Sequence, residues 1–519
     1  MTTFFRARRP AASLVSTLLG ITICTSLACG NTPAICGGDN PTTAPAARAP
    51  GAVQAYIDSL GGYPFDQRAA CARWASTFSL RLDRYSTRLA AAVEPEPARF
   101  ILFPAPGHSL QDLANWLSRA GQVAHVEQAA NFLVVTFTRE GSTSRMRAVL
   151  QSTRIAFAEP DCDGPDFATT SFEVATAFNS DQSCWQRAAR ATFPNDPCID
   201  ELWGHSKIGW DSAVAARSLP RLVALLDSGV DATHADLARN VLVRARSYEP
   251  ARSQGRRLNT LCATSGRCYP HGTQMAGTIA GRMDNGIGIA GVAPNSRLLP
   301  IVISQVDDGH LARLSTIAEA INAAVRGHAD IINISAKWPV DSRAVSEAIR
   351  AAVTGREAGR RLLVTGYATS LDLDESVREY YPSQYRCLPG VLAAVPADMR
   401  GHELFNSGGR PNANDGRIQA PGVDIVVTTT ENSERGYALS GAAGASSAAA
   451  YVSGAVALIW GSPPLDKCDA QQIKELLFCR SKSSDSTRYP WIHVDFLREL
   501  ADIDPGSDCR AAMEQLGCD

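Results

Sequence analysis

An α/β protein built on a parallel sheet is what this 519-residue sequence predicts, and two observations carry that reading. From residue 221 onward, short apolar runs alternate with stretches of helical period. The runs are RLVALL (221–226), RLLPIVI (297–303), DIINIS (330–335) and RLLVTG (361–366). Strands that read apolar on both faces are strands covered on both faces, which marks a parallel sheet between helix layers. Second, residues 98–161 run strand, helix, strand, strand, helix, strand, the split βαβ plan of a small separate domain.

The chain is long enough for two or three domains, and its 45% hydrophobic content suffices for a buried core. A net charge of −2, with no basic run, gives no footing for a nucleic-acid-binding reading. Arg6, Arg8 and Arg9 followed by the apolar stretch 11–28, which ends in small residues, predict an export signal over 1–29. A membrane anchor is the competing reading; Thr and Ser dilute the segment, and no second apolar span follows it. Ser26-Leu27-Ala28-Cys29 resembles a bacterial lipoprotein box, with Ser26 where Leu is usual, so Cys29 is a candidate lipidation site; ordinary cleavage nearby is the alternative.

Of the 14 cysteines, 12 remain once Cys24 and Cys29 are set aside, an even number that suits disulfide bonding in an exported chain. Cys184/Cys198, Cys262/Cys268, Cys468/Cys479 and Cys509/Cys518 are near enough to be local pairs, though connectivity is not fixed by spacing. A zinc site is the alternative, but no CxxC pair or ligand-spaced histidine accompanies them.

Residues 30–55 are rich in Pro, Gly, Ala and Thr and read as a tether, and 56–92 as helical, so 30–97 precede the first domain. Within 98–161, RFILFP (99–104) predicts a strand, and Leu110, Leu113 and Leu117 share a helix face. Residues 122–127 and 131–138 predict two strands, Met146, Val149 and Leu150 mark a helix, and IAFAE (155–159) a last strand. Residues 162–194 read as a connector. Beyond 221, a helix begins at His271, Leu314, Ile317, Ile321 and Val325 share one helix face, and another helix lies near 342–355. Ligands of such sheets bind at the carboxyl ends of the strands, where Asp227, Ser335 and Gly366 fall. Residues 463–519 read as a cysteine-bearing extension after a domain spanning 195–462.

Three residues stand out for chemistry. Asp227 ends a buried strand in LLDSGVDATHADL (225–237). His271 opens a helix in PHGTQMAGTIAG (270–281). Ser446 starts an apolar helix in SGAAGASSAAAYVSGAVAL (440–458). Each alone has an ordinary structural reading, as a loop cap, a packed histidine and an N-cap. Together they are a carboxylate, a base and a nucleophile in the order Asp…His…Ser. A serine hydroxyl needs a base to take its proton, the base needs a carboxylate to orient it, and a helix start aims backbone N–H groups at a developing oxyanion.

These segments, with NGIGIAGVAPNSRLLPI (285–301), FNSGG (405–409), APGVDI (420–425) and NDPCIDELWGHSKIGWDSAVAA (195–216), resemble the subtilisin-like serine proteases, the subtilases of the peptidase S8 family. IAFAEPD resembles the close of their inhibitor I9-like propeptide. The resemblance implies a subtilisin-like α/β catalytic domain preceded by a ferredoxin-like propeptide. It also implies catalytic roles for Asp227, His271 and Ser446, and substrate-binding roles for Ser335, Ala336, Lys337, Gly366 and Tyr367. Polypeptides are the implied substrates and the propeptide an intramolecular inhibitor; calcium is a cofactor the resemblance allows, with no acidic loop assignable to it and no metal ligands predicted.

Three departures from the family pattern are visible. Gly444-Ala445-Ser446-Ser447-Ala448-Ala449-Ala450 stands where G-T-S-M-A-x-P is usual. Thr365-Gly366-Tyr367-Ala368-Thr369 lacks the asparagine that donates to the oxyanion; Thr365, Tyr367 and Thr369 offer hydroxyls in its stead. Ser335-Ala336-Lys337 replaces S-L-G, adding bulk and charge beside the specificity pocket. The expectation is an exported serine endopeptidase made as a zymogen. The alternative is a degenerate subtilase that binds peptides without cutting them.

Overall fold

The computed structural model of the protein describes residues 57, 70–71, 97–138, 143–162, 184–242, 270–303, 313–338, 341–354, 361–366, 380–404, 416–430, 436–440, 444–481 and 489–518. Cys29, Tyr367, Thr369 and the Cys262/Cys268 pair lie outside these residues.

The N-terminal domain has the predicted order: β1 (Arg99–Pro104), α1 (Leu110–Leu117), β2 (Val123–Gln128), β3 (Leu133–Phe137), α2 (Thr143–Leu150) and β4 (Ile155–Pro160). Its antiparallel sheet runs β2-β3-β1-β4. The apolar runs of β1 and β3 fill the middle of the sheet, and Phe100 and Phe137 meet edge to face with centroids 6.0 Å apart. Ser109 starts α1 through a capping box with Asp112, two orphan donors satisfied reciprocally.

The larger domain is the predicted parallel sheet. Its strands are β5 (Leu222–Asp227), β6 (Arg297–Val302), β7 (Ile331–Ile334), β8 (Leu362–Gly366), β9 (Val391–Ala397) and β10 (Arg417–Pro421), ordered β10-β9-β8-β7-β5-β6. Every neighbouring pair is parallel. An antiparallel hairpin, β11 (Ile425–Thr428) with β12 (Tyr437–Ser440), stands beside it. Successive strand residues face opposite layers: Val223 and Leu225 of β5 pack into one core, Ala224 and Leu226 into the other. The first core holds α3 (His271–Ala280) and α6 (Ala445–Trp460). The second holds α4 (Leu314–Arg326) and α5 (Arg343–Thr354) and continues into the N-terminal domain.

The connection leaving β5 passes through α3 on one face, and the connection leaving β7 passes through α5 on the other. β5 and β7 are therefore the neighbours between which the winding reverses, and their carboxyl ends open a crevice. Asp227 ends β5 and Ser335 follows β7.

The C-terminal residues share the first core. α7 (Ala470–Arg480) and α8 (Cys509–Gln515) bury Ile473, Leu476, Leu477 and Met513 there. Among the described residues, four disulfides each join two described cysteines: Cys71–Cys162, Cys184–Cys198, Cys468–Cys509 and Cys479–Cys518. The local pairing expected for Cys184/Cys198 holds, and that for Cys468/Cys479 and Cys509/Cys518 does not. Cys468 and Cys479 sit at opposite ends of α7, about 16 Å apart at the rise of a helix, and Cys509 and Cys518 flank α8 in the same way. The bridges instead join start to start and end to end, with Cα atoms 4.8 and 5.9 Å apart. Among the described residues no helix is long and apolar enough to cross a membrane.

Candidate active site

Asp227 and His271 meet over the crevice. The His271 Nδ1 atom lies 2.8 and 3.0 Å from the two Asp227 carboxylate oxygens, and both side chains are buried. The Ser228 backbone N–H donates to Asp227 Oδ1 (2.7 Å), fixing the carboxylate plane. Close packing makes the pairing reachable. A Cβ on Gly272, the residue after the histidine, would stand 2.2 Å from the Gly229 carbonyl oxygen, so only glycine lets α3 approach the strand tip. The Gly272 N–H also donates to the Ser228 hydroxyl (3.0 Å). Farther along α3, a Cβ on Gly277 would stand 2.2 Å from Thr428 Oγ1, whose hydroxyl already donates to the Thr273 carbonyl (2.6 Å).

Ser446 occupies the first turn of α6. The N-cap is Gly444, with extended backbone and no capping side chain, so the first N–H groups of a 16-residue helix have no side-chain acceptor at the cap. Such a helix start is an anion site in waiting. The Ser446 hydroxyl donates to the backbone carbonyl of Ser335 at 3.2 Å, so α6 meets the end of β7 through this residue. Gly366, at the end of β8, closes the other side: a Cβ there would lie 2.7 to 2.9 Å from the carbonyl oxygen, carbonyl carbon and Cβ of Ala445.

Ser335 and Ala336 are buried beyond the end of β7. The Lys337 ammonium lies 4.9 Å from the Tyr380 ring centroid, a cation–π contact. Trp338 and Tyr381 exchange two backbone hydrogen bonds of 2.9 Å and hold this wall to the next loop. Thr365, a candidate replacement for the missing asparagine, is fully buried, and its hydroxyl lies 3.4 Å from the Gly366 carbonyl oxygen. Residue-type reasoning missed Tyr380 as the neighbour of Lys337. It also passed over Asn333 and Ser453, which bond to each other behind Ser446 (2.9 Å); a polar residue inside the apolar run DIINIS was the available signal.

Two carboxylates lie beside the loop after α3. Asp236 accepts from Asn285 Nδ2 (2.6 Å), Ile289 N–H (3.1 Å) and Tyr437 OH (2.8 Å), and burial pushes its pKa up to about 7. Asp196 accepts from the N–H groups of Asp284 (2.8 Å) and Asn285 (3.1 Å), and burial raises its pKa as well. Calcium takes an oxygen shell. These two carboxylates face N–H and O–H donors, a set that does not fit that ion, and among the described residues no three His, Cys, Asp or Glu side chains converge on a metal position.

The family model described as the subtilase family, Peptidase_S8, matches residues 221–488, a little over half of the chain. Fervidolysin of Fervidobacterium pennivorans is 32% identical over 301 residues, 54% of this chain and 40% of its own length. The major intracellular serine protease of Bacillus subtilis is 32% identical over 251 residues, 48% of this chain and 70% of its own. In fold, the chain is similar to the crystal structure of fervidolysin, described as a keratinolytic enzyme related to subtilisin. There the TM-score is 0.60 at 22% identity, covering 79% of this chain and 62% of that one. The epidermin leader peptide processing protease of Staphylococcus aureus gives a TM-score of 0.54 at 16% identity, covering 79% and 99%.

Proposed function

We propose that this chain, which belongs to the subtilase family, is an exported serine endopeptidase made as a zymogen. The observation that carries the reading is the buried Asp227–His271 pair, joined in the same chain by a serine in the first turn of a helix with no capping side chain. In the reaction, the Ser446 oxygen attacks the scissile carbonyl carbon while His271 Nε2 takes the hydroxyl proton. Asp227 holds the Nδ1–H tautomer and stabilises the imidazolium. The oxyanion settles on the first-turn N–H groups of α6. Collapse breaks the C–N bond, the amine leaves with the proton from His271, and an acyl ester remains on Ser446. Water, deprotonated by His271, then releases the acid and restores the serine.

The Ser446 hydroxyl leaves the Ser335 carbonyl to do this, a reorientation of the kind that substrate binding brings about in such sites. An extended polypeptide is the substrate, laid between the ends of β7 and β8, with Ser335, Ala336, Lys337, Gly366 and Tyr367 along its path.

The N-terminal domain is the inhibitory propeptide. Glu159 accepts from the Ser342 hydroxyl (2.9 Å) and from the N–H groups of Arg343 (2.9 Å) and Ala344 (3.1 Å) at the start of α5. This supports a domain that assists folding of the sheet it sits on. Export rests on residues 6–28 and on the four disulfides, with Cys29 the residue a lipid would modify. A fluorophosphonate probe tests the enzymatic reading: Ser446 of processed protein becomes labelled, and absence of labelling in folded, processed chain would refute it.

A further inference from the structure

Ser446 and Ser453 lie seven residues apart on α6, two turns, so their side chains leave the helix on one face. That face looks onto β7, and both serines are tied to it. The Asn333 side-chain amide donates to Ser453 Oγ (2.9 Å), and the Ser335 hydroxyl donates to Asn333 Oδ1 (2.9 Å). The Ser335 hydroxyl also lies 3.5 Å from the Ser446 carbonyl oxygen, while the Ser335 carbonyl accepts from the Ser446 hydroxyl. Asn333 and Ser453 are fully buried and Ser335 nearly so. We propose that Ser453 and Asn333 are positioning residues that set the nucleophile through Ser335; the inference rests on the endopeptidase reading above.

The physical case has three parts. A buried primary amide is held where all its strong donors and acceptors find partners, so Asn333 has one good rotamer only while Ser453 and Ser335 are both present. Ser335 lies one residue beyond the end of β7, and the side-chain bond to Asn333 ties it back to the strand. The same strand is thereby keyed to α6 at two heights, and a slip of the helix by one residue would break both contacts. Neither Ser453 nor Asn333 touches the reacting atoms. Their effect is on where the Ser335 carbonyl and the Ser446 hydroxyl stand, and displacement of a reacting group by an ångström is enough to cost large factors in rate.

The experiment measures, for processed protein, the rate of Ser446 labelling by a fluorophosphonate and the kcat and KM for a peptide substrate. The variants are Ser453→Ala, Ser335→Ala and the double variant, each with its thermal midpoint. Ser453→Ala is expected to slow labelling and kcat by roughly tenfold with KM nearly unchanged. Because Ser453 and Ser335 act through one amide and do not touch, the double variant is expected to lose no more than the worse single variant. Asn333→Ala, which removes the amide itself, is expected to match that loss. Additive losses, or single variants with lowered midpoints but parental labelling rates well below those midpoints, would overturn the proposal. If the parent itself is unlabelled, the endopeptidase reading has failed, and that outcome is distinct from unequal behaviour among labelled variants.

Discussion

Asp161 accepts two hydrogen bonds from Ser315, one from the backbone N–H at 3.1 Å and one from the hydroxyl at 2.9 Å. A carboxylate of the N-terminal domain thus caps α4 of the larger domain, as Glu159 two residues earlier caps α5. Hydrogen bonds from helix-start amides to a buried carboxylate are worth about 2 kcal/mol each side chain. Glu159→Ala with Asp161→Ala is therefore expected to expose the Ser315 and Ala344 amides to hydrogen exchange in the full chain. It should also bring forward the time at which Ser446 becomes labelled. Unchanged protection at both amides would mean that the domains are held elsewhere.

The proposed triad makes graded losses. Ser446→Ala is expected to lower kcat by about 10⁶-fold, and Asp227→Asn by about 10⁴-fold, since the asparagine leaves the ring in place but favours the wrong tautomer. Self-processing should vanish in Ser446→Ala. If that variant still processes itself, the nucleophile is another residue.

Gly366 tests the contact between β8 and α6. A methyl group there collides with the Ala445 backbone at 2.7 Å, and backbone cannot swing aside as a flexible side chain can. Gly366→Ala is expected to move the first turn of α6 and slow labelling by at least about tenfold. The thermal midpoint should fall by several degrees. Parental rates would show that the turn has room to shift.

The buried Asp236 carboxyl gives a pH signature. Its folded pKa of about 7 lies above the unfolded value, near 4 for a free aspartate, so between these values the folded chain holds more protons than the unfolded one. The contribution to stability is complete at the acid end of that window and is lost as pH rises through about 7. Urea titrations at several pH values check this against Asp236→Asn, which carries no charge at any of them. The parent should lose a few kcal/mol relative to the variant between pH 4 and 7. Parallel curves would show that the carboxyl does not titrate there.

The sequence and the structure agree where physics is local. β5 through β8 were legible because each is a continuous apolar run. The three proposed catalytic residues were legible because each sits at the end of an element whose boundary is plain. β9 and β10 do not stand out in the sequence: VLAAVPA is rich in alanine and RIQAP carries Arg417 and Gln419, so neither reads as a strong apolar run, and pairing completes them, β9 on β8 and β10 on β9. The crossed disulfides of α7 and α8 were hidden because the nearest cysteine in sequence is at the far end of the same rigid helix. Ser453 was passed over because a single serine in an apolar helix looks like filler until Asn333 is seen facing it.

The bridge between Cys71 and Cys162 turns the last strand of the N-terminal domain into a measuring post. Cys162 is anchored three ways: by its disulfide, by its carbonyl oxygen accepting from Leu314 N–H (3.0 Å), and by Asp161 beside it. A chain leaving such a post reaches no farther than about 3.5 Å per residue. If Ser446 cuts the connector as proposed above, which peptide bond can arrive there is a question of leash length, set by the number of residues counted from Cys162.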